Sequence, residues 1–301
     1  MRQAVSVSLG ASTRDVDAEI DVAGERIHVR RIGTDGDMAR AARLFAELDG
    51  TVDALGVGGA MLRMEVDGRW YPLHAFLPVV RAVTRTPVVD GSTVKRTLEH
   101  RVAQWMDAHL PEPVTPRRAL VMVATDRWGM AASFDDAGYD AVYGDLMFGL
   151  DLPIPLRSLA TVRRLARVML PPLTRAPVTW FNPDTRQPAR PSARTARWFA
   201  WATVIAGDTH YIRRSMPARL DGKIVCTNTT DEADVDAFRA AGVRHLVTST
   251  PVVGRRSLPT NLLEAALVAA SGTGRVLTSD EVAAWLDRAA ITPVLRVLGE
   301  R

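Results

Sequence analysis

The sequence has little cysteine and no long apolar run, and each shortage excludes a class of protein. Cys226 is the only cysteine among 301 residues, so a disulfide within the chain and a multi-cysteine zinc site are excluded. No apolar run reaches the roughly 20 residues that cross a bilayer. The first residues, MRQAVSVSLG, lack the apolar core and cleavage site of a signal peptide. We therefore expect a cytoplasmic protein that binds no metal and does not enter a membrane.

Lysine is equally scarce. Of the 38 basic residues only Lys95 and Lys223 are lysines. Arginine serves wherever a positive charge is sufficient, whereas a lysine amine can lose its proton when its surroundings favour that. A lysine that persists against this bias is therefore a candidate for chemistry. Lys223 stands in a turn before a strand, which favours a solvated side chain, so Lys95 is the stronger candidate.

The net charge of +4 does not indicate nucleic-acid binding. Arginines alternate with acidic residues over most of the chain, and only residues 157–197 are basic with almost no acid. A solvated helix and linker surface is the favoured interpretation of that stretch. The expected partner is a small anionic substrate, with no nucleic acid and no membrane, and the number of subunits stays open.

Alternating strand and helix patterns predict the fold class. We expect an α/β protein with two Rossmann-like domains, mainly parallel sheets and a cleft between the domains. The N-terminal α/β domain spans 1–150 and includes a hairpin that turns at Ala23-Gly24. Proline becomes frequent over 151–195, where we expect one or two helices at 156–170 followed by an irregular linker. The C-terminal Rossmann-like domain, 196–301, has three strands separated by helices and then closing helices.

Ligands of parallel sheets bind beyond the carboxyl ends of the strands, and small, hydroxyl-bearing and acidic residues gather there. In the first domain the candidate substrate-binding residues are Ser8, Arg14, Gly58, Gly59, Ser92 and Thr93. In the second domain the candidate cofactor-binding residues are Gly207, Asp208, His210, Arg213, Thr227, Asn228, Thr229 and Thr250. Turns and helix caps favour the same residue types, so a structural role stays open for each of them.

The segment PVVDGSTVKRTLEH (87–100) contains the strongest catalytic candidates. Asp90 ends a buried strand, the following hydroxyl residues cap a helix, and Lys95 lies in its first turn. A cation is disfavoured beside the positive end of a helix dipole, so this position favours loss of the proton or recruitment of an anion. We expect Asp90, or Asp126 from a neighbouring strand end, to partner Lys95. The alternative is an exposed helical lysine.

The turn AGDTHYIRR (206–214) stands where a nucleotide-binding fold holds phosphate. A dinucleotide fingerprint reads GxGxxG, and this turn has only Gly207. His210 and Arg213 could replace it by binding anions through their side chains. The segment TNTT (227–230) has neither the carboxylate typical of NAD sites nor the basic residue typical of NADP sites. NAD or NADP is therefore an open cofactor assignment.

Seven motifs span nearly the whole chain: VSVSLGAS, RIGTDGD, VDALGVGG, TPVVDGSTVKRTLE, AGDTHYIRRSMP, CTNTT and TSTP. Together they resemble a bacterial family labelled quinate 5-dehydrogenase-like. The resemblance implies a substrate domain, a nucleotide-binding domain and closing helices. It also implies NAD(P)-dependent oxidation of a hydroxylated cyclic acid of the quinate or shikimate type. The catalytic pair would then be Lys95 with Asp90 or Asp126.

Two other functions stay open. Lys95 could act as a Schiff-base nucleophile or an electrostatic anchor in an enzyme that uses no dinucleotide. A non-enzymatic, two-lobed binding protein would instead close on a small anionic metabolite by a hinge motion through 151–195.

Overall fold

Two sheets built mainly from parallel strands organise the chain. The structure, a computed structural model, describes residues 1–176, 193–253 and 256–299. The strands of the described chain are β1 (Arg2–Ser8), β2 (Val16–Val22), β3 (Glu25–Gly33), β4 (Ala54–Gly58), β5 (Arg63–Val66), β6 (Arg69–Pro72), β7 (Val88–Val89), β8 (Arg118–Val121), β9 (Asp140–Tyr143), β10 (Val204–Ala206), β11 (Ile224–Thr227), β12 (His245–Thr248), β13 (Val252–Val253), β14 (Arg256–Ser257) and β15 (Val294–Val297).

Helices pack on both sheets. They are α1 (Met38–Leu48), α2 (Ser92–Glu99), α3 (Val102–His109), α4 (Trp128–Asp136), α5 (Leu159–Leu173), α6 (Ala193–Trp201), α7 (Thr209–Ser215), α8 (Glu232–Ala240), α9 (Thr260–Ser271) and α10 (Ser279–Arg288). Asp37 and Asp208 cap α1 and α7 by accepting a backbone hydrogen bond from the first turn. Thr278 caps α10 by accepting a hydrogen bond from the amide of Glu281.

The first sheet has the strand order β2-β3-β1-β4-β7. Its neighbours are parallel except β2 and β3, which form an antiparallel hairpin. The hairpin turn predicted at Ala23-Gly24 is confirmed, because both residues have positive φ angles, 56° and 88°. A turn with two positive φ angles matches the twist of the strands it joins.

The second sheet corrects the predicted domain boundary. Its order is β15-β12-β11-β10-β8-β9, with only β15 antiparallel to its neighbour. Strands β8 and β9 lie before residue 150, yet Leu120 of β8 pairs in register with Ile205 of β10. A boundary at 150 therefore cuts through this sheet. Sequence patterns locate strands but do not name their neighbours, and parallel neighbours are always separated in sequence by a crossover.

Helix α9 returns to the first sheet, so residues 196–301 do not follow the predicted division either. Leu262 of α9 is buried in the same apolar cluster as Ala4 of β1. Strand β4 accepts this close approach because it presents glycine. A Cβ on Gly56 would lie 2.8 Å from the carbonyl oxygen of Asn261 in α9. The carboxyl-terminal third of the chain thus contributes to both sheets.

The helix predicted at 156–170 is confirmed as α5, which spans Leu159–Leu173. The irregular linker predicted after it falls largely on 177–192, outside the described residues. In the described part of the chain no helix combines the length and the apolar character that crossing a membrane requires.

Candidate functional site

A cleft of about 600 Å³ lies between the two sheets, beyond the carboxyl ends of their strands. The first sheet contributes Ser8 from the end of β1 and Gly58 from the end of β4. The second sheet contributes Asp126, which follows β8, and Asp208, which follows β10. Parallel sheets bind their ligands at such strand ends, and the volume suits a small organic molecule.

Lys95 reaches this cleft from the first turn of α2. Only 15% of its side chain is exposed, and its Nζ lies 3.9 Å from Oδ1 of Asp126. Its hydrogen-bond acceptor is the sulfur of Met61, at 3.0 Å. A thioether accepts weakly, and the described residues offer Nζ no oxygen within hydrogen-bonding distance. The amine is therefore available to an oxygen atom of a ligand.

Asp126 is the acidic partner of Lys95 in the cleft. Its side chain is as buried as that of Lys95, and its second oxygen, Oδ2, lies 3.5 Å from Nε of Arg127. The gap between Nζ and Oδ1 is wider than one hydrogen bond. A ligand hydroxyl placed beside both atoms would satisfy both. Of the two acids predicted to partner Lys95, Asp126 is the one that the structure brings to it.

Asp90 lines the cleft, but both oxygens of its carboxylate accept hydrogen bonds from backbone amides. Oδ2 accepts from the amides of Leu62 at 2.8 Å and Arg63 at 3.3 Å, and Oδ1 accepts from the amide of Ser92 at 3.1 Å. These bonds hold the loop before β5 on the turn that precedes α2. Among the described ion pairs none joins Asp90 to Lys95. Asp90 therefore stabilises the loops around the site. The prediction that it partners the Lys95 amine is wrong.

Arg127, which the sequence interpretation did not single out, lies at the centre of a buried charge network. Nη1 donates to Oε1 of Glu99 at 2.5 Å, and Nη2 donates to Oδ2 of Asp208 at 2.6 Å. Burial alone disfavours the charged guanidinium, but the carboxylates of Glu99, Asp208 and Asp126 outweigh it and raise the pKa of Arg127. The arginine thus stays charged. From the loop after β8, next to Asp126, it connects α2 through Glu99 with the start of α7 through Asp208.

The two acids that accept from Arg127 have opposite pKa shifts. Burial disfavours ionisation of Asp208, but Arg127 and the imidazole of His210 lower its pKa to about 2. Burial raises the pKa of Glu99, and the contact with Arg127 opposes that rise. Oε2 of Glu99 accepts no hydrogen bond from the described residues. Asp208 is therefore a permanent anion in the cleft at neutral pH.

The predicted cofactor-binding residues separate into two groups. Those that line the cleft are Asp208, His210, Asn228 and Thr229, and those that do not are Gly207, Arg213, Thr227 and Thr250. Nε of Arg213 lies 3.5 Å from Oδ1 of Asp234. Thr250 is buried and donates to the carbonyl oxygen of Asn228 at 3.0 Å. Arg213 and Thr250 therefore contact other protein groups and do not line the cleft.

The turn between β10 and α7 does not offer the free amides that a pyrophosphate needs. Oδ1 of Asp208 accepts from the amide of His210 at 2.9 Å, and Oδ1 of Asn228 accepts from the amide of Thr209 at 3.3 Å. A carboxylate thus occupies the helix amino terminus where a dinucleotide fold binds phosphate. These residues do not fit an NAD(P) pyrophosphate. The described residues also contain no group of three His, Cys, Asp or Glu side chains placed to hold a metal ion.

The predicted substrate-binding residues separate in the same way. Those that line the cleft are Ser8, Arg14, Gly58 and Gly59, whereas Ser92 and Thr93 do not. Oγ of Ser8 accepts from Nη2 of Arg31 at 2.8 Å. Gly59 has a φ of +65°, and a Cβ there would lie 2.7 Å from the amide nitrogen of Gly10. Glycine is therefore required where β4 enters the cleft.

Helix α5 forms an apolar wall of the cleft that the sequence interpretation did not include. Its residues in this wall are Val162, Leu165, Ala166, Met169, Leu170 and Leu173. Met61 and Met64 continue the apolar surface toward Lys95. The helical spacing of this stripe is visible in the sequence, but spacing alone does not tell whether an apolar face meets protein or a cavity.

Family models cover almost the whole chain. The model described as "Domain of unknown function (DUF8754)" matches residues 93–298, which is more than half of the chain. The chain belongs to the DUF8754 family. A second model, "Domain of unknown function (DUF8753)", matches residues 3–90. No curated protein matches the chain.

Several solved structures are similar to the chain at low identity. The NAD-dependent malic enzyme from Thermotoga maritima is 12% identical, with a TM-score of 0.39, and the match covers 94% of this chain and 75% of that one. A solute-binding protein of an ABC transporter from Burkholderia multivorans is 12% identical, with a TM-score of 0.39 and coverage of 98% and 99%. A periplasmic ribose ABC transporter protein from Conexibacter woesei is 15% identical, with a TM-score of 0.33 and coverage of 96% and 97%. Likenesses of this size assign no ligand and no reaction to this chain.

Both of the segments that the family models match contribute residues to the cleft. Lys95 and Asp126 belong to the DUF8754 segment, and Ser8 and Gly58 belong to the DUF8753 segment. The DUF8754 segment also supplies α9, which packs on the sheet formed by the other segment. The candidate site therefore needs both segments.

Proposed function

We propose that the cleft binds a small hydroxylated acid, with a ligand hydroxyl lying between Lys95 and Asp126. The observation that carries this proposal is the 3.9 Å gap between Nζ and Oδ1 in a mostly buried part of the cleft. A hydroxyl accepts from the amine and donates to the carboxylate. Because both partners are charged and shielded from water, these hydrogen bonds are stronger than neutral, exposed ones.

Arg14 supports the acidic character of the ligand. It lies in the cleft wall after β1, it is exposed, and no described carboxylate forms an ion pair with it. A guanidinium binds a carboxylate through two parallel hydrogen bonds. On the other side of the cleft, Asp126 and Asp208 disfavour a second negative charge. A ligand with one carboxylate toward Arg14 and hydroxyl groups toward Lys95 fits this distribution of charge.

Oxidation of that hydroxyl with NAD(P), which the resemblance to quinate 5-dehydrogenase-like proteins implies, is the second candidate function. The pair of Lys95 and Asp126 favours it, because an amine oriented by a carboxylate can exchange a proton with a carbinol oxygen. The turn between β10 and α7 opposes it, because Asp208 already occupies the amide of His210. Binding of the hydroxylated acid is therefore the function that the geometry supports better.

The test is a calorimetric titration of the protein with quinate and with shikimate. We expect Lys95→Met to weaken binding at least tenfold, since losing a hydrogen bond to a charged group costs about 1.5 to 3 kcal/mol. Lys223→Met is the matched control, because Lys223 donates to the carbonyl oxygens of Ala200 and Ala202 away from the cleft. Equal affinity in the wild type and Lys95→Met would contradict the proposal.

A parallel titration with NADH and NADPH, followed by tryptophan fluorescence, decides between the two functions. Saturable quenching that Asp208→Asn changes would support the dehydrogenase. Absence of quenching at millimolar dinucleotide, with the acid still bound, would leave a binding function without NAD(P).

A further inference from the structure

The polar end of the cleft continues directly into its apolar part. The sulfur of Met61 lies 3.0 Å from Nζ of Lys95, so the amine and the thioether share one wall. Met64, three residues later, packs in a cluster with Ala166 and Leu170 of α5. A ligand whose hydroxyl reaches Lys95 therefore has its next atoms beside methionine side chains.

Helix α5 presents two apolar stripes of different exposure. Both stripes line the cleft, but Val162, Ala166 and Leu170 are almost completely buried, whereas Leu165 and Met169 are only partly covered. Leu173, four residues after Met169, continues the second stripe. Apolar side chains in contact with water inside a cavity are unfavourably hydrated, and an apolar ligand group that covers them is bound more tightly.

We infer that the ligand of this cleft is amphiphilic. Its hydroxylated acid lies at Lys95 and Asp126, and a hydrocarbon group of several carbons lies along the stripe of Leu165, Met169 and Leu173. This inference rests on the proposed function, because the polar head is the one proposed above. The cleft volume of about 600 Å³ is in the range that holds drug-sized ligands. The flexible methionine side chains adapt to the shape of an apolar group.

The experiment measures affinity against chain length. Straight-chain 2-hydroxy acids with four, six and eight carbons are titrated calorimetrically into the wild-type protein. Each buried methylene contributes about 0.8 kcal/mol, so we expect the affinity to rise about threefold to fourfold for each added carbon. The measured quantity is the ratio of affinities for the eight-carbon and four-carbon acids.

Variants of α5 locate the source of that ratio. We expect Met169→Asp to reduce the ratio at least tenfold, because the charged group faces the hydrocarbon, and the isosteric Met169→Gln to reduce it less. Val168 is the matched control, because it directly precedes Met169 in the same helix and is 74% exposed. Val168→Asp introduces the same charge outside the cleft and should keep the wild-type ratio.

The outcomes separate this inference from the proposed function. A ratio near one in the wild type, or a large ratio that survives both Met169 variants, overturns the amphiphilic ligand. If Lys95→Met leaves the affinity of every acid unchanged, the proposed binding at Lys95 fails even when the ratio is large. Binding of none of the three acids overturns the amphiphilic ligand, and the proposed function fails with it only if quinate and shikimate do not bind either.

Discussion

Lys95 lies in the first turn of a helix, where its charge opposes the positive end of the helix dipole. Glu264 relieves that conflict from a different element. Its Oε2 accepts from the amides of Thr93 at 3.1 Å and Val94 at 3.4 Å, so a carboxyl group covers the amino terminus of α2. The amine is then directed away from the helix, toward Asp126. Above its raised pKa of about 7, the carboxyl group of Glu264 is the anion that the sequence led us to expect near this helix end.

Asp90 and Asp126 both line the cleft, and we expect their amide variants to differ in kind. Asp90→Asn replaces one of the two acceptor oxygens with an NH2 group, so it loses the hydrogen bonds either from the amides of Leu62 and Arg63 or from the amide of Ser92. It should lower the free energy of unfolding by about 1 to 3 kcal/mol. Asp126→Asn loses no described hydrogen bond, so its stability should change by less than about 1 kcal/mol while its affinity for the hydroxylated acid falls about tenfold.

Urea unfolding and calorimetric titration of the two variants check this division. If Asp126→Asn is the less stable protein and binds like the wild type, then Asp126 has the structural role and our assignment of the pair is wrong.

At the scale of residues, the sequence predicted what depends on composition and local position. The scarcity of lysine singled out Lys95, and the strand-end pattern singled out Asp126. Arg127 and Glu99 were not predicted as site residues, because their role depends on a contact between residues 28 positions apart. Glu264 was not predicted for the same reason, since its hydrogen-bond partner Thr93 is 171 positions away.

At the scale of elements, the contact between α9 and α2 makes stability depend on pH. Burial, and then the neighbouring charge of Asp90, raise the pKa of Glu264 from 4.5 to about 7. The folded protein therefore holds this proton between those two values and the unfolded chain does not. The free energy of unfolding should fall as the pH rises from about 4.5 to 7, and the loss is complete above 7.

Glu264→Gln keeps an oxygen acceptor for the helix amides and has no proton to lose. We expect it to match the wild type near pH 4.5 and to be more stable by roughly 3 kcal/mol at pH 8. Urea unfolding across this pH range measures the difference. Glu47→Gln, on the exposed surface of α1, is the control that should follow the wild-type curve. Parallel curves for Glu264→Gln and the wild type would exclude the proposed role of this proton.

Helix α5 shows which properties of an element can be predicted from the sequence and which cannot. Its position followed from the sequence, and so did an apolar stripe at helical spacing. The exposure of Leu165 and Met169 to a cavity did not follow, because it depends on which other elements cover the helix. A pattern of apolar residues predicts a face and leaves its partner open.

At the scale of the whole molecule, the α/β class and the mainly parallel sheets were predicted correctly from alternating elements. The grouping of those elements was not, because β8 and β9 join the second sheet and α9 returns to the first. The chain therefore passes between the two sheets more than once. Lys95 lies on α2 at the first of these crossings, between β7 of the first sheet and β8 of the second, and Asp126 follows β8 in the second sheet.

The scarcity of lysine permits a direct test of the central claim. Reductive methylation with ¹³C-formaldehyde labels Lys95, Lys223 and the terminal amine, and the methylated lysines keep their charge. During titration with the hydroxylated acid, the NMR signal of Lys95, assigned with Lys95→Met, should shift with saturation while that of Lys223 stays fixed. A Lys95 signal that does not move while calorimetry shows saturation would contradict the account, because the ligand would then bind away from this amine.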